Sequence, residues 1–377
     1  MNKLPVKLPG AGDKKIWIKT ANDFAYILEG VRFVYSEYKM LLRHLPAFSG
    51  EVIFPFTGNA PIAPACYASF NEDAKFTVYE RDSHDFKAMT SSLQSFKNIE
   101  VKLATDMVQP ESEKVMAVVT VLNNADRLFS FDIIEKLNEV LPDGSDVYML
   151  IQRKRQKDFM KKLQKEFASG NIIDKCREAI LYKCKTKASK NKWTSREKTV
   201  KVDAIGAEIL MKTRPGVFAH GRVDTGGLAL YESVEIKPGE RVLELGCGAG
   251  LVSLLLAKKF AAEKASYHLV DSDARAVECA RENTVLNELD NVTCELNDQF
   301  ESEQEYDVVV GNPPYYANHR IAEYFIKTAA SMLANSGTLY IVSKHAEKIG
   351  ELAEENDLFY EHIKRRGYDV TVCKFDK

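Results

Sequence analysis

Val242-Leu243-Glu244-Leu245-Gly246-Cys247-Gly248-Ala249-Gly250 is a short apolar run that ends in three glycines spaced two apart. A continuous apolar run of this length, closed by glycine, reads as a buried strand. The glycines admit the positive φ angles of a tight turn. The apolar stretch that follows reads as a helix from Ala249 to Lys259. Strand, glycine turn and helix together open a parallel α/β sheet, in which ligands collect at the carboxyl ends of the strands. A second polar motif, Gly311-Asn312-Pro313-Pro314-Tyr315, follows the apolar run Asp307-Val308-Val309-Val310 and so falls at another such end.

Outward from this stretch the chain repeats itself. Apolar runs begin near residues 241, 267, 307, 338 and 368, and others near 51, 76, 116, 146 and 179, so the two sets are offset by about 190 residues throughout. Helical spacing of apolar residues over Ala274–Leu286 and Ile321–Leu333 fills the gaps. Strands alternating with helices imply a mostly parallel sheet covered on both faces. The expected organisation is two tandem α/β domains, 1–188 and 202–377, joined by the polar stretch 189–201. The copies differ at the turns. Phe56-Thr57-Gly58-Asn59-Ala60-Pro61 stands in place of the glycines, and Leu122-Asn123-Asn124 in place of Asn312-Pro313-Pro314. The N-terminal copy therefore reads as degenerate.

At 377 residues the chain can bury two cores, and 45% apolar with 28% charged residues is the make-up of a soluble globular protein. No apolar stretch reaches the ~18 residues of a membrane span. The opening MNKLPVKLPGAGDKK lacks the apolar core of a secretory signal, so a cytoplasmic protein is expected. Seven cysteines without a CxxC pair or a histidine at metal spacing read as reduced thiols, with no metal expected. The net charge is −2, yet residues 151–201 hold 17 Lys and Arg against 5 Asp and Glu. That basic segment is either a solvated face or the footprint of a polyanion.

The glycine turn reads E-x-G-x-G-x-G. A nicotinamide-binding turn would place its third glycine at Leu251, where none stands. Cys247 fits as a small space-filler within the turn. Asp271, about 20 residues on, ends the next strand, where a carboxylate can accept ribose hydroxyls, while Asp273 suits the helix cap. Asp298, after the strand Val292–Leu296, suits an adenine amine or a turn equally. In Asn312-Pro313-Pro314 the prolines stiffen the loop and remove two backbone donors. The remaining rim of acceptors suits an exocyclic NH2 group. The Asn312 side-chain oxygen and the Pro313 carbonyl would take its hydrogens and free its lone pair, and Tyr315 would stack on the ring.

This combination resembles the class I S-adenosylmethionine-dependent methyltransferases that act on planar amino nitrogens. More closely, it is similar to the ribosomal RNA guanine-N2 methyltransferases of the 16S small-subunit type, which are likewise duplicated with a degenerate N-terminal copy. The segment Pro215-Gly216-Val217-Phe218-Ala219-His220-Gly221-Arg222-Val223-Asp224-Thr225-Gly226-Gly227 resembles that family's stretch ahead of the glycine turn. The resemblance implies two tandem Rossmann-like methyltransferase domains with mostly parallel seven-stranded sheets, and S-adenosyl-L-methionine as cofactor. The implied cofactor-binding residues are Phe218, Thr225, Glu244, Gly246, Cys247, Gly248, Gly250, Asp271, Ser272, Asp298 and Asn312. The implied catalytic residues are Asn312, Pro313, Pro314 and Tyr315. Ribosomal RNA or the small ribosomal subunit is the implied partner, met by residues 151–201, with a monomer expected and neither membrane nor metal. The family usually carries phenylalanine where Tyr315 stands, often followed by histidine. Tyrosine is more familiar in enzymes that methylate protein glutamine or adenine N6, so those remain alternatives, as does a non-enzymatic RNA-binding assembly factor.

Overall fold

The computed structural model of the chain describes residues 2–9, 15–20, 24–58, 60–121, 126–187, 193–314 and 319–375. It divides into two compact units, residues 1–195 and 196–377. Each contains a seven-stranded sheet of the same order. In the C-terminal unit the strands run Val292–Leu296, Ser266–Asp271, Arg241–Leu245, Tyr306–Gly311, Leu333–Ser343, Tyr368–Phe375 and Leu358–Arg365. The first five are parallel, and the last two are joined antiparallel at one edge. In the N-terminal unit the order is Ile99–Leu103, Lys75–Glu80, Glu51–Pro55, Val115–Val121, Asp146–Gln152, Ala179–Lys185 and Ser169–Lys175, again five parallel and two antiparallel. The duplication read from the spacing is thus present strand for strand.

The parallel strands are apolar because helices cover both of their faces. In Arg241–Leu245, Val242 and Leu243 are fully buried on opposite faces. Val242 packs with Leu254 and Leu255 of the helix Leu251–Lys259, and Leu243 with Ile326 and Ala329 of the helix Arg320–Met332. The helix Ala274–Leu286 coincides with the apolar spacing that announced it. The helix expected from Ala249 begins instead at Leu251, because Gly250 at φ +90° still belongs to the turn.

Three features were not anticipated. Asn2–Lys7, Phe24–Glu29 and Ile16–Lys19 form a separate three-stranded sheet in the N-terminal unit. Ser169–Lys175 and Leu358–Arg365 are edge strands, largely exposed, whose polar residues hid them. Of the expected linker 189–201, residues 193–201 are described, and both parts of that stretch are engaged with structure. Trp193 docks on the N-terminal unit, its Nε1 donating to Asp132 Oδ1 at 3.0 Å with Lys136 Nζ 4.2 Å from the ring. Lys198–Ala204 is a strand paired antiparallel with Ala207–Thr213. Its inward residue Val202 is 2% exposed, and the lysines between disguised the alternation.

Candidate functional site

Sheet register builds the site. Leu245 pairs with Val270 on one side and Gly311 on the other. The residues that follow, the glycine turn, Asp271 and Asn312, therefore emerge side by side at the carboxyl edge of three neighbouring strands. The turn is held from below: Gly246 and Cys247 N–H donate to the Val270 carbonyl at 2.8 and 3.1 Å. Gly248 N–H donates to Asp271 Oδ2 at 2.8 Å, while Asp271 Oδ1 accepts from Asp273 N–H at 2.9 Å. A carboxylate oxygen can accept more than one hydrogen bond, the chemistry that a ligand hydroxyl asks for. Asp273 caps the helix Ala274–Leu286, as its position suggested.

The three glycines serve different ends. A Cβ at Gly246 would lie 2.7 Å from the Phe325 ring, and one at Gly250 would lie 3.0 Å from Leu254. Both are spaces already filled by the protein. At Gly248, with φ +55°, nothing lies within 4 Å. That stretch of backbone is bare on its outer side, a cradle a Cβ would fill, directly beside the Asp271 carboxylate. Phe325 also packs under Gly311, whose Cβ would come within 2.9 Å of it, so one ring supports both turns.

Glu244 lies beneath the turn, 4% exposed, and its Oε2 accepts from Ser253 N–H at 3.0 Å in the first turn of the helix. Burial pushes its carboxyl up to about 7, with the nearby Asp271 charge adding to the effect. Burial likewise pushes the Cys247 thiol well above its ordinary range, so it is a neutral filler.

Asn312 is half-buried, and its Nδ2 donates to Asp224 Oδ2 at 2.9 Å. The same oxygen accepts from Gly227 N–H at 2.6 Å, capping the helix Thr225–Ser233. Asp224 is thus both cap and anchor, and it brings exposed Thr225 to the rim of the site. Gly226 leaves room for this, since its Cβ would meet Asp224 Oδ2 at 3.2 Å and Tyr368 at 3.3 Å. Pro313 is buried and Pro314 half-buried. Ser272 and Asp298 are half-buried at the ends of their strands, and Phe218 is 62% exposed on the preceding loop. Tyr315 lies outside the described residues.

Residues 208–371 match the family model of the methyltransferase small domain. Among curated relatives, the ribosomal RNA small subunit methyltransferase C of Pseudomonas aeruginosa is 31% identical over 153 residues, 40% of this chain and 46% of that protein. The Klebsiella pneumoniae protein of the same name is 28% identical over 246 residues, 61% and 67% of the two chains. The chain spans about half the length of the Pseudomonas relative it matches. The fold is shared end to end with a solved T. thermophilus 16S rRNA N2 methyltransferase, RsmC, in complex with AdoMet and guanosine: TM-score 0.75 at 18% identity, covering 96% of this chain and 98% of that one.

The C-terminal unit also relies on buried polar residues outside the two motifs. Asn283, fully buried, donates from Nδ2 to the Ala249 carbonyl at 3.0 Å and to the Lys212 carbonyl at 2.9 Å, tying the glycine turn to the hairpin. Arg275, 1% exposed, donates to the Pro215 carbonyl at 2.8 Å and fixes the loop before Phe218. The signal was there in part: Asn283 sits at i+7 on the apolar stripe begun by Ala276, Cys279 and Ala280, where a polar residue must find buried partners. His319 and His345 meet edge to face, 5.1 Å between ring centroids, at the starts of the helices Arg320–Met332 and Ala346–Glu354.

The corresponding turn of the N-terminal unit keeps the hydrogen bonds and an open glycine, since nothing lies within 4 Å of a Cβ at Gly58, φ +62°, but it carries a bulky residue two positions before that glycine. Phe56 N–H donates to the Tyr79 carbonyl at 2.7 Å, and Thr57 and Gly58 N–H both donate to Glu80 at 3.2 Å, as Gly248 does to Asp271. The Phe56 ring then packs 6.2 Å from Tyr79 and 5.3 Å from Phe129, adding aromatic bulk where the other unit has Gly246. The segment Leu122-Asn123-Asn124 lies outside the described residues.

Proposed function

We propose that the chain is an S-adenosylmethionine-dependent methyltransferase acting on the exocyclic N2 amine of a guanine in ribosomal RNA. The observation that carries this reading is the register that sets the open backbone of Gly248, the Asp271 carboxylate and Asn312 in one row at the carboxyl edge. The cradle fits the cofactor: Gly248 lets backbone approach a ligand, and Asp271 offers acceptors to ribose hydroxyls. The remaining assigned contacts, Phe218, Thr225, Ser272 and Asp298, would complete its enclosure, with Glu244 and Cys247 shaping the turn from within. S-adenosylmethionine supplies an electrophilic methyl group on a sulfonium centre.

The chain's own residues then have the task of making a poor nucleophile attack. The lone pair of a guanine N2 amine is delocalised into the ring. With Asn312 Nδ2 committed to Asp224, the amide oxygen Oδ1 remains to accept one amine hydrogen. The Pro313 carbonyl accepts the other, on a rim where neither proline offers a competing donor. Holding both hydrogens out of the ring plane favours a tetrahedral nitrogen and stabilises the positive charge that grows on it. Tyr315 would stack on the ring. Residues 151–201 would hold the RNA backbone. On the helix Gln156–Glu166, Lys157, Lys161 and Lys165 stand at i, i+4 and i+8 and are exposed, while Phe159 and Leu163 of the opposite face are buried.

Label transfer from methyl-tritiated S-adenosylmethionine tests the reading, with deproteinised ribosomal RNA, assembled small subunits, transfer RNA and a protein extract as separate acceptors. Label in ribosomal RNA, recovered as N2-methylguanosine after nuclease digestion, is the expected result. The Asn312→Ala variant should lose about 100-fold or more of the rate while binding the cofactor within a few-fold of wild type. Label recovered only in protein, or as N6-methyladenosine, overturns it.

A further inference from the structure

The small sheet of the N-terminal unit has one face in the core and an opposite face whose two outer strands carry exposed side chains around a buried Ala25. Val6, Ile18, Tyr26 and Leu28 are at most 1% exposed and belong to the core. Strand register sets the opposite face. Lys3 and Lys19 both pair with Ala25, Lys7 pairs with Glu29, and Trp17 pairs with Ile27, so these alternate residues point together away from the core. Lys3, Lys7, Trp17 and Lys19 are all exposed. Trp17 is 47% exposed on the edge strand Ile16–Lys19, with Lys3 Nζ 5.3 Å from its ring centroid. Lys15 reaches the same region and pairs with Glu29 at 2.7 Å.

An indole on a sheet edge does nothing for a core that lies on the other side, and the four lysines around it repel one another, with Glu29 paired to one of them. On a chain of net charge −2 this is a local cationic platform. We infer that this face binds single-stranded RNA, with a base stacked on Trp17 and the flanking phosphates on Lys3, Lys7 and Lys19. The geometry favours single strands, because bases inside a duplex are already stacked and cannot meet an indole edge-on to the helix. The flat, sequence-tolerant nature of such stacking suits a surface that holds an RNA substrate rather than selects it. The inference shares with the proposed function only the class of partner: methyl transfer could fail and this face still bind RNA.

The chain holds two tryptophans, Trp17 and Trp193. Trp193→Phe leaves Trp17 as the sole tryptophan, and its fluorescence reports stacking directly. If that variant folds poorly, the difference between the intact chain and Trp17→Phe gives the same readout. Titration with a single-stranded oligouridylate should quench Trp17. Phosphates held by three lysines set a salt slope near −2, so the midpoint should move about tenfold or more to higher RNA between about 50 mM and about 200 mM salt. The pair Lys3→Glu and Lys19→Glu should weaken binding at least about tenfold. An RNA duplex and heparin, which carry the charge without an accessible base, should leave the emission unchanged. Absence of quenching by the oligouridylate, or equal quenching by heparin, overturns the inference. Label transfer by the same variants reads methyl transfer separately.

Discussion

The amide of Asn312 has two chemically opposite ends, and the acceptor end is the one that can hold an amine hydrogen. Asp224 decides which end faces outward, because its Oδ2 takes the Nδ2 hydrogen at 2.9 Å. Asp224→Ser should keep the helix cap but fall short of Asn312, lowering kcat about tenfold, the worth of one hydrogen bond, with cofactor affinity little changed. Asp224→Asn offers an oxygen in the same place and should restore kcat to within about threefold. Equal losses in kcat and cofactor affinity for the serine variant would reduce Asp224 to a structural cap. Glu244 makes a prediction about pH. Its folded carboxyl is raised from the ordinary 4.5 to about 7, so between those values the folded state holds a proton that the unfolded chain releases. Stability of the C-terminal unit should therefore fall as pH rises through that window, by at most about 3 kcal/mol, and level off above it. Denaturant titrations at intervals from pH 5 to pH 8 check this. Glu244→Gln should flatten that part of the slope, and an unchanged slope would mean that Glu244 ionises freely in the fold.

At the scale of the element, the glycine turn separates what the fold needs from what a ligand needs. Gly250→Ala combines φ +90° with a Cβ 3.0 Å from Leu254, so it should cost about 2 kcal/mol or more of stability. Gly248→Ala meets only the left-handed backbone penalty of about 1–2 kcal/mol, since nothing lies within 4 Å, but its methyl would fill the cradle. Cofactor affinity should drop at least about tenfold, about 1.4 kcal/mol. Melting curves beside calorimetric titration of both variants distinguish the two roles, and an alanine at Gly248 that binds normally would move the cofactor elsewhere. The same turn shows how much of the molecule the sequence disclosed. Apolar runs closed by glycine or asparagine revealed the parallel strands, and carboxylates after them revealed Asp271, because burial on both faces leaves a continuous apolar signature. Ser169–Lys175 and Leu358–Arg365 gave no such signal, being edge strands with exposed polar residues. The bond between Asp224 and Asn312 spans 88 residues, and the buried hydrogen bonds of Asn283 span 71 and 34. Nothing local in the chain encodes partners so far apart.

At the scale of the whole molecule, duplication gives two sheets of one order and two different turns. The N-terminal unit retains the carboxylate that braces the turn, Glu80, and an open glycine, Gly58, but carries the Phe56 ring where the C-terminal unit has Gly246, and it differs further in its surface. That surface carries the basic segment. Several of its lysines are already engaged: Lys183 and Lys185 pair with Asp146 at 3.0 and 2.9 Å, and Lys162 with Glu166 at 2.8 Å. The stripe Lys157, Lys161 and Lys165 stands out toward solvent, with Lys165 4.0 Å from Glu166. Replacing all three with glutamate should weaken ribosomal RNA binding and reduce the slope of log affinity against log salt by about 2–3, roughly one unit for each phosphate that no longer meets a lysine. These lysines lie in a different unit from Asn312, so kcat at saturating RNA should stay within about twofold of wild type while KM rises more than about tenfold at low salt. Filter-binding titrations at several salt concentrations, paired with label-transfer kinetics, measure both quantities. An unchanged slope would assign the basic segment to solvation alone. A fall in kcat at unchanged KM would mean that the stripe contributes to turnover and not to docking.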